Sequence, residues 1–527
     1  MTTGNWKSVR QNPPWYFLLP AVLAALVLAL CILYLALRAV EGGWGELWET
    51  LWRRRNLVLL GNTLRLAVGV VIFTTILAFP LAWLSVRTEL SRWKFISLLG
   101  VLPLAIPGYI MAWAILSLGG DYGIIYRLTG QTVPRISGYW GALLAISLYA
   151  FPYLYLNLRS ALLGLDPAQE DAARSLGRGP VRIFLEVILP QCRPAFLAGS
   201  LIIVLYVLGD FGSVTLMRYE TISHAVFIQY NSLLDRQTAS GLALILVLLA
   251  AFLLWLEIRL LGRIRWYRVG TGTARGVRLA KLTPLAWGGV SVFLLLVYGA
   301  ALLTPLGVIF FWLIEFPPVG EMPRVWRALG DSLSVAIPAS LLAGAAALPV
   351  AYIGVRYPSG ISRGLERISY FGYAMPPLAL ALAAAAISLQ LFPFLFQTLG
   401  LLVVICALHF LAEGMGPIRT ALYQASPRLE EAARSLGCNP LKAFFRSTFP
   451  LLLRGLLAGI AFVFLSVMKE LPITYILSPW GFSPLAVNIW DLANEGMYAE
   501  AAPHALALLL ISLFFVGFLM LREKRLS

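Results

Sequence analysis

The sequence predicts an all-α polytopic membrane protein with about twelve transmembrane helices, arranged as two tandem six-helix repeats. Three observations predict it. First, 60% of the 527 residues are hydrophobic and only 13% are charged, with a mean hydropathy of +0.81, whereas a soluble chain carries roughly a quarter charged residues. Second, apolar stretches long enough to cross the roughly 30 Å hydrocarbon core as helices recur along the whole chain. They are continuous instead of alternating, which excludes a transmembrane β-barrel. Third, the second half of the chain repeats the first, both in its apolar runs and in one charged phrase.

The first apolar run, 15–37, follows a polar stretch containing Lys7 and Arg10 and is too long for a signal-peptide core, so it is read as an uncleaved first span. Runs 57–86, 95–118, 138–158, 192–217 and 239–258 complete the first half. The second half contributes 284–313, 332–355, 368–391, 399–417, 451–476 and 501–521. Proline and glycine occur inside some of them, as in "LPLAIPGY" at 102–109, which membrane helices tolerate where neighbours satisfy the freed backbone groups. The resulting division is a first half at 1–265, a basic linker at 266–283 and a second half at 284–527.

Twelve spans put both termini on one side, and lysine and arginine predict which. With the N-terminus in the cytoplasm, the cytoplasmic segments together with the adjoining span ends at Arg193 and Arg454 hold 29 of the 41 basic residues and the external ones 10, in keeping with the positive-inside rule. This bias accounts for the net charge of +16 without nucleic acid as a partner. Arg53, Arg54 and Arg55 run against it and are expected to lie in an interfacial segment beside Trp48 and Trp52. The four cysteines and three histidines are scattered without metal-ligand spacing, so no metal site and no cofactor held by this chain are expected.

The repeat is gapless over long stretches. "NTLRLAVGVVIFTTILAFPLAWLSVR" at 62–87 aligns with "DSLSVAIPASLLAGAAALPVAYIGVR" at 331–356, an offset of 269 that pairs Arg87 with Arg356. From Arg159 onward the offset is 260. Two even-numbered halves have the same orientation, which implies a pseudo-two-fold axis along the membrane normal with a pathway between them.

The charged phrase is "EDAARSLGRGPVRIFLEVILP" at 170–190 and "EEAARSLGCNPLKAFFRSTFP" at 430–450. Each copy carries helix punctuation: Asp166-Pro167 or Ser426-Pro427 as N-cap oxygen and first-turn proline, Gln169 in a capping-box position, and Gly177 or Gly437 as the left-handed terminator. A second short helix follows, with Pro190 or Pro450 opening the next span. A loop that only needed to be soluble would not keep the same acid, alanines, arginine and glycine in both halves. One partner shape met twice explains the duplication.

These phrases resemble the EAA motif of the membrane subunits of ATP-binding-cassette (ABC) importers, and the chain is identified as a type I permease with two fused six-helix halves. The loops are 166–190 and 426–450. The motif maps onto Asp171, Ala172, Ala173, Arg174 and Gly177, and onto Glu431, Ala432, Ala433, Arg434 and Gly437. The second copy departs at its root, with Ser447 and Phe449 where Ile and Leu are usual. The resemblance implies that each loop is a coupling helix seated on one of two copies of a cytoplasmic ABC ATPase, which would bind ATP and magnesium. It also implies an external substrate-binding protein and an inner-membrane location. Within the family, the fused form and "KELPITYILSPWGF" at 469–482 are similar to the ferric-iron permeases, with thiamine, phosphonate, sulfate and polyamine carriers as relatives.

No GxxxxGK[ST] phosphate loop occurs in the chain, and no clustered nucleophile and base, so the protein is not expected to be an enzyme and has no catalytic residues. An ion-coupled secondary transporter is the alternative of a different class, but it leaves the duplicated charged phrase unexplained. Asp210 and Glu470, equivalent at the 260 offset, are candidates for the translocation path or its gate, because an ionisable group in a span is costly and usually functional. Glu413 is expected to be interfacial, near the cytoplasm.

Overall fold

The computed structural model describes residues 13–41, 43–231, 236–261 and 279–523. Lys7, Arg10 and linker residues 262–278 lie outside the described residues. Everything described is helix, turn or loop, apart from one isolated parallel β-bridge between Thr88 and Ala280. Among the described residues, nine helices are long and apolar enough to cross a membrane, and three further pairs bent at short breaks bring the number of candidate spans to twelve.

The breaks are where the straight spans read from the sequence give way. The 95–118 run bends by 87° between Phe95–Ala105 and Gly108–Leu118, and the 368–391 run by 105° between Gly360–Ala374 and Pro377–Leu391. Proline causes both. Pro107 and Pro376 hold extended backbone (ψ 152° and 128°), and a proline pushes the residue before it out of the helical region. The 399–417 run bends by 50° between Leu399–His409 and Leu411–Gln424. Glu413 sits at the start of Leu411–Gln424, about 16 Å along the helix axis from its far end, and accepts a 3.0 Å hydrogen bond from Ser466 Oγ.

Other helices are continuous where the sequence suggested joints. Pro180–Gly209 and Pro440–Met468 each run unbroken from the charged phrase into the membrane. Both pass through one π-turn, at Phe184–Ile188 and Phe444–Thr448. Pro190 and Pro450 follow two residues later. A helical proline has no N–H to donate, and its ring crowds the carbonyl four residues back; the wider turn relieves that crowding without ending the helix.

Packing divides the chain into two compact units. In the unit formed by residues 1–41 and 327–487, Trp15–Val40 packs on Gly360–Ala374 and Pro377–Leu391, and Leu411–Gln424 packs on Phe449–Met468. In the unit formed by 42–326 and 488–527, Arg54–Arg87 packs on Gly138–Gly164, and Thr304–Glu315 packs on Gly108–Leu118 and Tyr498–Glu523. This partition differs from the sequence repeat: the first helix of each repeat is packed among helices of the other. Ahead of Arg54–Arg87, the short helix Trp44–Trp52 exposes Trp44, Trp48 and Trp52 at i, i+4 and i+8, followed by exposed Arg53, Arg54 and Arg55. That is the composition of a segment lying at a membrane–water interface.

Candidate functional site: two charged elbows

The first elbow is the helix Pro167–Ser175 and the second is Arg428–Ser435. The first is capped by the Asp166 carboxylate, which accepts the Ala168 N–H at 3.0 Å. The cap is this single bond; the capping box anticipated with Gln169 does not form among the described residues. The second begins differently from the sequence expectation. Pro427, already helical at φ −56°, occupies the N-cap position, and Ser426 contributes only its carbonyl, to Leu429 N–H.

Both elbows end identically. Gly177 has φ +77° and Gly437 φ +86°. Gly177 N–H donates to Arg174 O at 2.9 Å and Arg178 N–H to Ala173 O at 3.1 Å; Gly437 and Cys438 repeat these bonds to Arg434 and Ala433 at the same distances. This is the Schellman arrangement, which satisfies the orphan carbonyls at a helix end and requires the left-handed residue that glycine supplies cheaply. It fixes the orientation of the residue before the glycine. Leu176 and Leu436 are 80% and 86% exposed, and Val181 and Leu441 beyond the turn are exposed as well. Ala172 and Ala432, beside the motif acids, are exposed and small.

The acids divide into two kinds. Asp171 and Glu431 face outward; Arg174 pairs with Asp171 at 3.0 Å on the surface, whereas Arg434 makes no corresponding contact with Glu431 among the described residues. The preceding acids, Glu170 and Glu430, are both 7% exposed, and sequence reasoning missed them. Glu170 receives Arg87 Nη1 at 2.6 Å, from the end of Arg54–Arg87. Glu430 receives Tyr352 Oη at 2.7 Å and Thr448 Oγ1 at 2.5 Å. Through these bonds each elbow is rooted in the membrane helix that ends beside it.

The roots are equivalent in position but not in chemistry. Tyr352 stands where the first half has Trp83, and Thr448 where it has Ile188, so the second half supplies two hydroxyls where the first supplies a guanidinium. Arg356, the repeat mate of Arg87, instead donates to the Ala425 carbonyl at 2.7 Å. Aromatic packing completes both roots: Phe184 lies edge-on to Trp83 and Phe79, and Phe444 to Tyr352 and Phe17.

Asp210 and Glu470 are buried at breaks in their spans. Asp210 accepts Ser213 N–H at 2.9 Å and Ser213 Oγ at 2.8 Å, at the start of Gly212–Leu216. Glu470 accepts Ile473 N–H at 2.7 Å and Thr474 N–H at 2.8 Å, at the start of Pro472–Leu477. Each carboxylate therefore holds the orphan N–H groups of a short helix that follows the break.

Comparison with known proteins agrees with this architecture. The model of the family described as "Binding-protein-dependent transport system inner membrane component" matches residues 92–266 and 336–527. The chain is 30% identical over 509 residues to the Fe(3+)-transport system permease protein FbpB 2 of Haemophilus influenzae, covering 95% of this chain and 97% of that protein. It is 22% identical over 487 residues to the ferric transport system permease protein FbpB of Actinobacillus pleuropneumoniae, covering 87% and 70%. The sulfate transport system permease protein CysT of Salmonella typhimurium is 26% identical over 238 residues, covering 44% of this chain and 85% of that protein. Members of the family are non-catalytic transport subunits that work with an ATPase and a binding protein. Two EAA-type elbows rooted in a polytopic helical chain, with a family match in each half, make this protein a member of the binding-protein-dependent inner membrane component family, the membrane-spanning permease of a type I ABC importer.

Proposed function

We propose that this chain is the permease of a ferric-iron importer, carrying the solute handed over by an external binding protein and driven by two copies of a cytoplasmic ATPase, one docked on each elbow. The duplicated exposed edge carries the docking reading: Leu176 with Val181 and Leu436 with Leu441 present the same apolar surface on the same glycine-locked turn. Exposed leucines of this kind, set beside small alanines and a peripheral acid, suit a partner cleft that buries a central apolar anchor within a polar rim. On this reading Asp171, Ala172, Ala173, Arg174 and Gly177, with Glu431, Ala432, Ala433, Arg434 and Gly437, are the coupling residues. Both termini and the linker lie on the cytoplasmic side, and ATP with magnesium is held by the partner. Asp210 and Glu470 serve the gate by fixing the breaks in their spans. The ferric assignment is supported by the near full-length, two-half match to a protein named for Fe(3+) transport; the sulfate relative matches less than half of the chain.

The test of docking is the pair Leu176→Asp and Leu436→Asp. Each single variant should weaken co-purification of the ATPase, and the double should abolish it while membrane insertion is unchanged. Full ATPase recovery with the double variant refutes the docking reading. The solute is tested by uptake of radiolabelled ferric iron against sulfate with the cognate binding protein; uptake of sulfate alone refutes the iron assignment.

A further inference from the structure

Arg87 is held from two directions. Its side chain reaches the buried Glu170 of the first elbow, and its carbonyl accepts the Ala280 N–H at 2.9 Å. Ala280 belongs to the segment that follows the basic linker, and the contact continues in both directions. Glu89 N–H donates to Ala280 O at 3.2 Å, forming the isolated bridge of Thr88 with Ala280. Glu89 Oε1 then accepts Leu282 N–H and Trp287 Nε1–H, both at 3.1 Å, and the Trp287 ring lies 6.0 Å from that of Trp93.

Among the described residues the second half makes no such contact, and one residue bears on the difference. At the 269 offset Glu89 corresponds to Pro358, which has neither an N–H to donate nor a carboxylate to accept. There the chain closes on itself: Ser359 and Ser362 form a reciprocal capping box that starts Gly360–Ala374. The first elbow's root is tied by hydrogen bonds to the linker's end, whereas the second elbow's root packs on Phe17 of the N-terminal helix and has no such hydrogen-bonded tie among the described residues.

We propose that residues 279–287 are a strap that positions the first elbow, acting through Glu89 and Arg87, and that the two coupling elbows are mechanically unequal for this reason. Glu89 and Trp287 are positioning residues. Their side-chain contacts run to each other, to Leu282 and to Trp93, and they set how firmly Arg87 presents its guanidinium to Glu170. In a fused chain this makes the segment from residue 279 a part that stiffens one of two otherwise matching docking sites. The functional consequence rests on the docking reading above; the positional claim does not.

The experiment is amide hydrogen exchange on the full-length protein in lipid nanodiscs, comparing the amides of 167–178 with those of 428–438. Glu89→Ala, which removes two hydrogen bonds to a charged acceptor, should speed exchange in the first elbow at least about tenfold and leave the second unchanged. Trp287→Phe, which keeps the ring and removes only the indole donor, should give a smaller acceleration confined to the same elbow and guards against misfolding of the first variant. Glu89→Gln, which keeps an acceptor oxygen, should restore most of the protection. Equal acceleration in both elbows, or none in either, overturns the strap. Loss of ATPase docking in the leucine variants bears on the docking reading alone, so the two can fail separately.

Discussion

Arg87→Met is expected to destabilise the protein more than any surface change on the elbows, by about 3–5 kcal/mol, the range for breaking a buried pair by removing one partner. The structure explains why the upper part of that range applies. Arg87 and Glu170 side chains are 4% and 10% exposed, and their atoms meet at 2.6 Å. The other cation near Glu170 is Arg174, at 3.8 Å and 43% exposed, too distant and too hydrated to compensate. Arg87 Nε and Nη2 have no hydrogen-bond partner among the described residues, so Glu170→Met would strand the guanidinium just as completely. The double variant Arg87→Met with Glu170→Met should recover most of the loss, because an apolar pair of similar volume is often neutral or better at a buried site. Unfolding in mixed micelles titrated with SDS, followed by tryptophan fluorescence, reads all three. Additive losses in the double variant would refute the claim that the two groups compensate each other. The second elbow provides the contrast. Tyr352→Phe and Thr448→Val each remove one neutral donor to Glu430, so each should cost only about 1.5–3 kcal/mol.

Gly177→Pro and Gly437→Pro should abolish coupled transport while leaving the spans inserted. Proline cannot adopt φ near +80° and also removes the N–H that closes the turn, whereas Gly→Ala should cost only about 1–2 kcal/mol, since a Cβ at either site meets nothing within 4 Å. Persistent transport-coupled ATP hydrolysis in both proline variants would contradict this. Asp171→Lys or Glu431→Lys alone should reduce substrate-stimulated ATP hydrolysis mildly, as suits exposed charges worth about 0–1 kcal/mol. The double reversal should impair it severely, and full stimulation in the double would remove these acids from the interface. Asp210→Asn should retain transport because an amide oxygen still caps Gly212–Leu216, while Asp210→Ala should lose about 1 kcal/mol and loosen the break. Uptake measured for both variants decides the matter, and equal loss in the two would point to the charge instead of the cap.

Much of this was legible in the sequence, for physical reasons. Hydropathy marks spans because a bilayer permits no unsatisfied backbone, and the runs found that way correspond to the nine long helices and three bent pairs found among the described residues. The glycine turns were legible because only one residue type occupies a left-handed helix end cheaply. The sharp bends were not, although Pro107 and Pro376 marked their places: proline forecasts a break but not its angle, which depends on what the two arms pack against. Glu170 and Glu430 were invisible for a different reason. They adjoin the motif acids, and nothing local says which of two consecutive carboxylates turns inward. Their partners lie 83 and 78 residues away. One signal could have exposed the first pair: an arginine closing an apolar span, kept in both halves as Arg87 and Arg356.

The two halves differ in a way that bears on what each part is for. Turn geometry, exposed leucines, alanines and the outward acid are the same in both copies. Beneath that surface the buried acid is met by a guanidinium in one half and by two hydroxyls in the other, and the arginine left over in the second half is reassigned to a backbone carbonyl. A buried carboxylate tolerates either solution because both supply hydrogen bonds to its charge. The outer surface has no such latitude if the same partner must fit it twice. Constancy at the surface with substitution at the root is the opposite of what a solvated loop on a conserved core would show, where contacts inside are kept and the exterior drifts. The elbows are therefore best understood as surfaces shaped by an external partner and anchored by whatever chemistry each half had available.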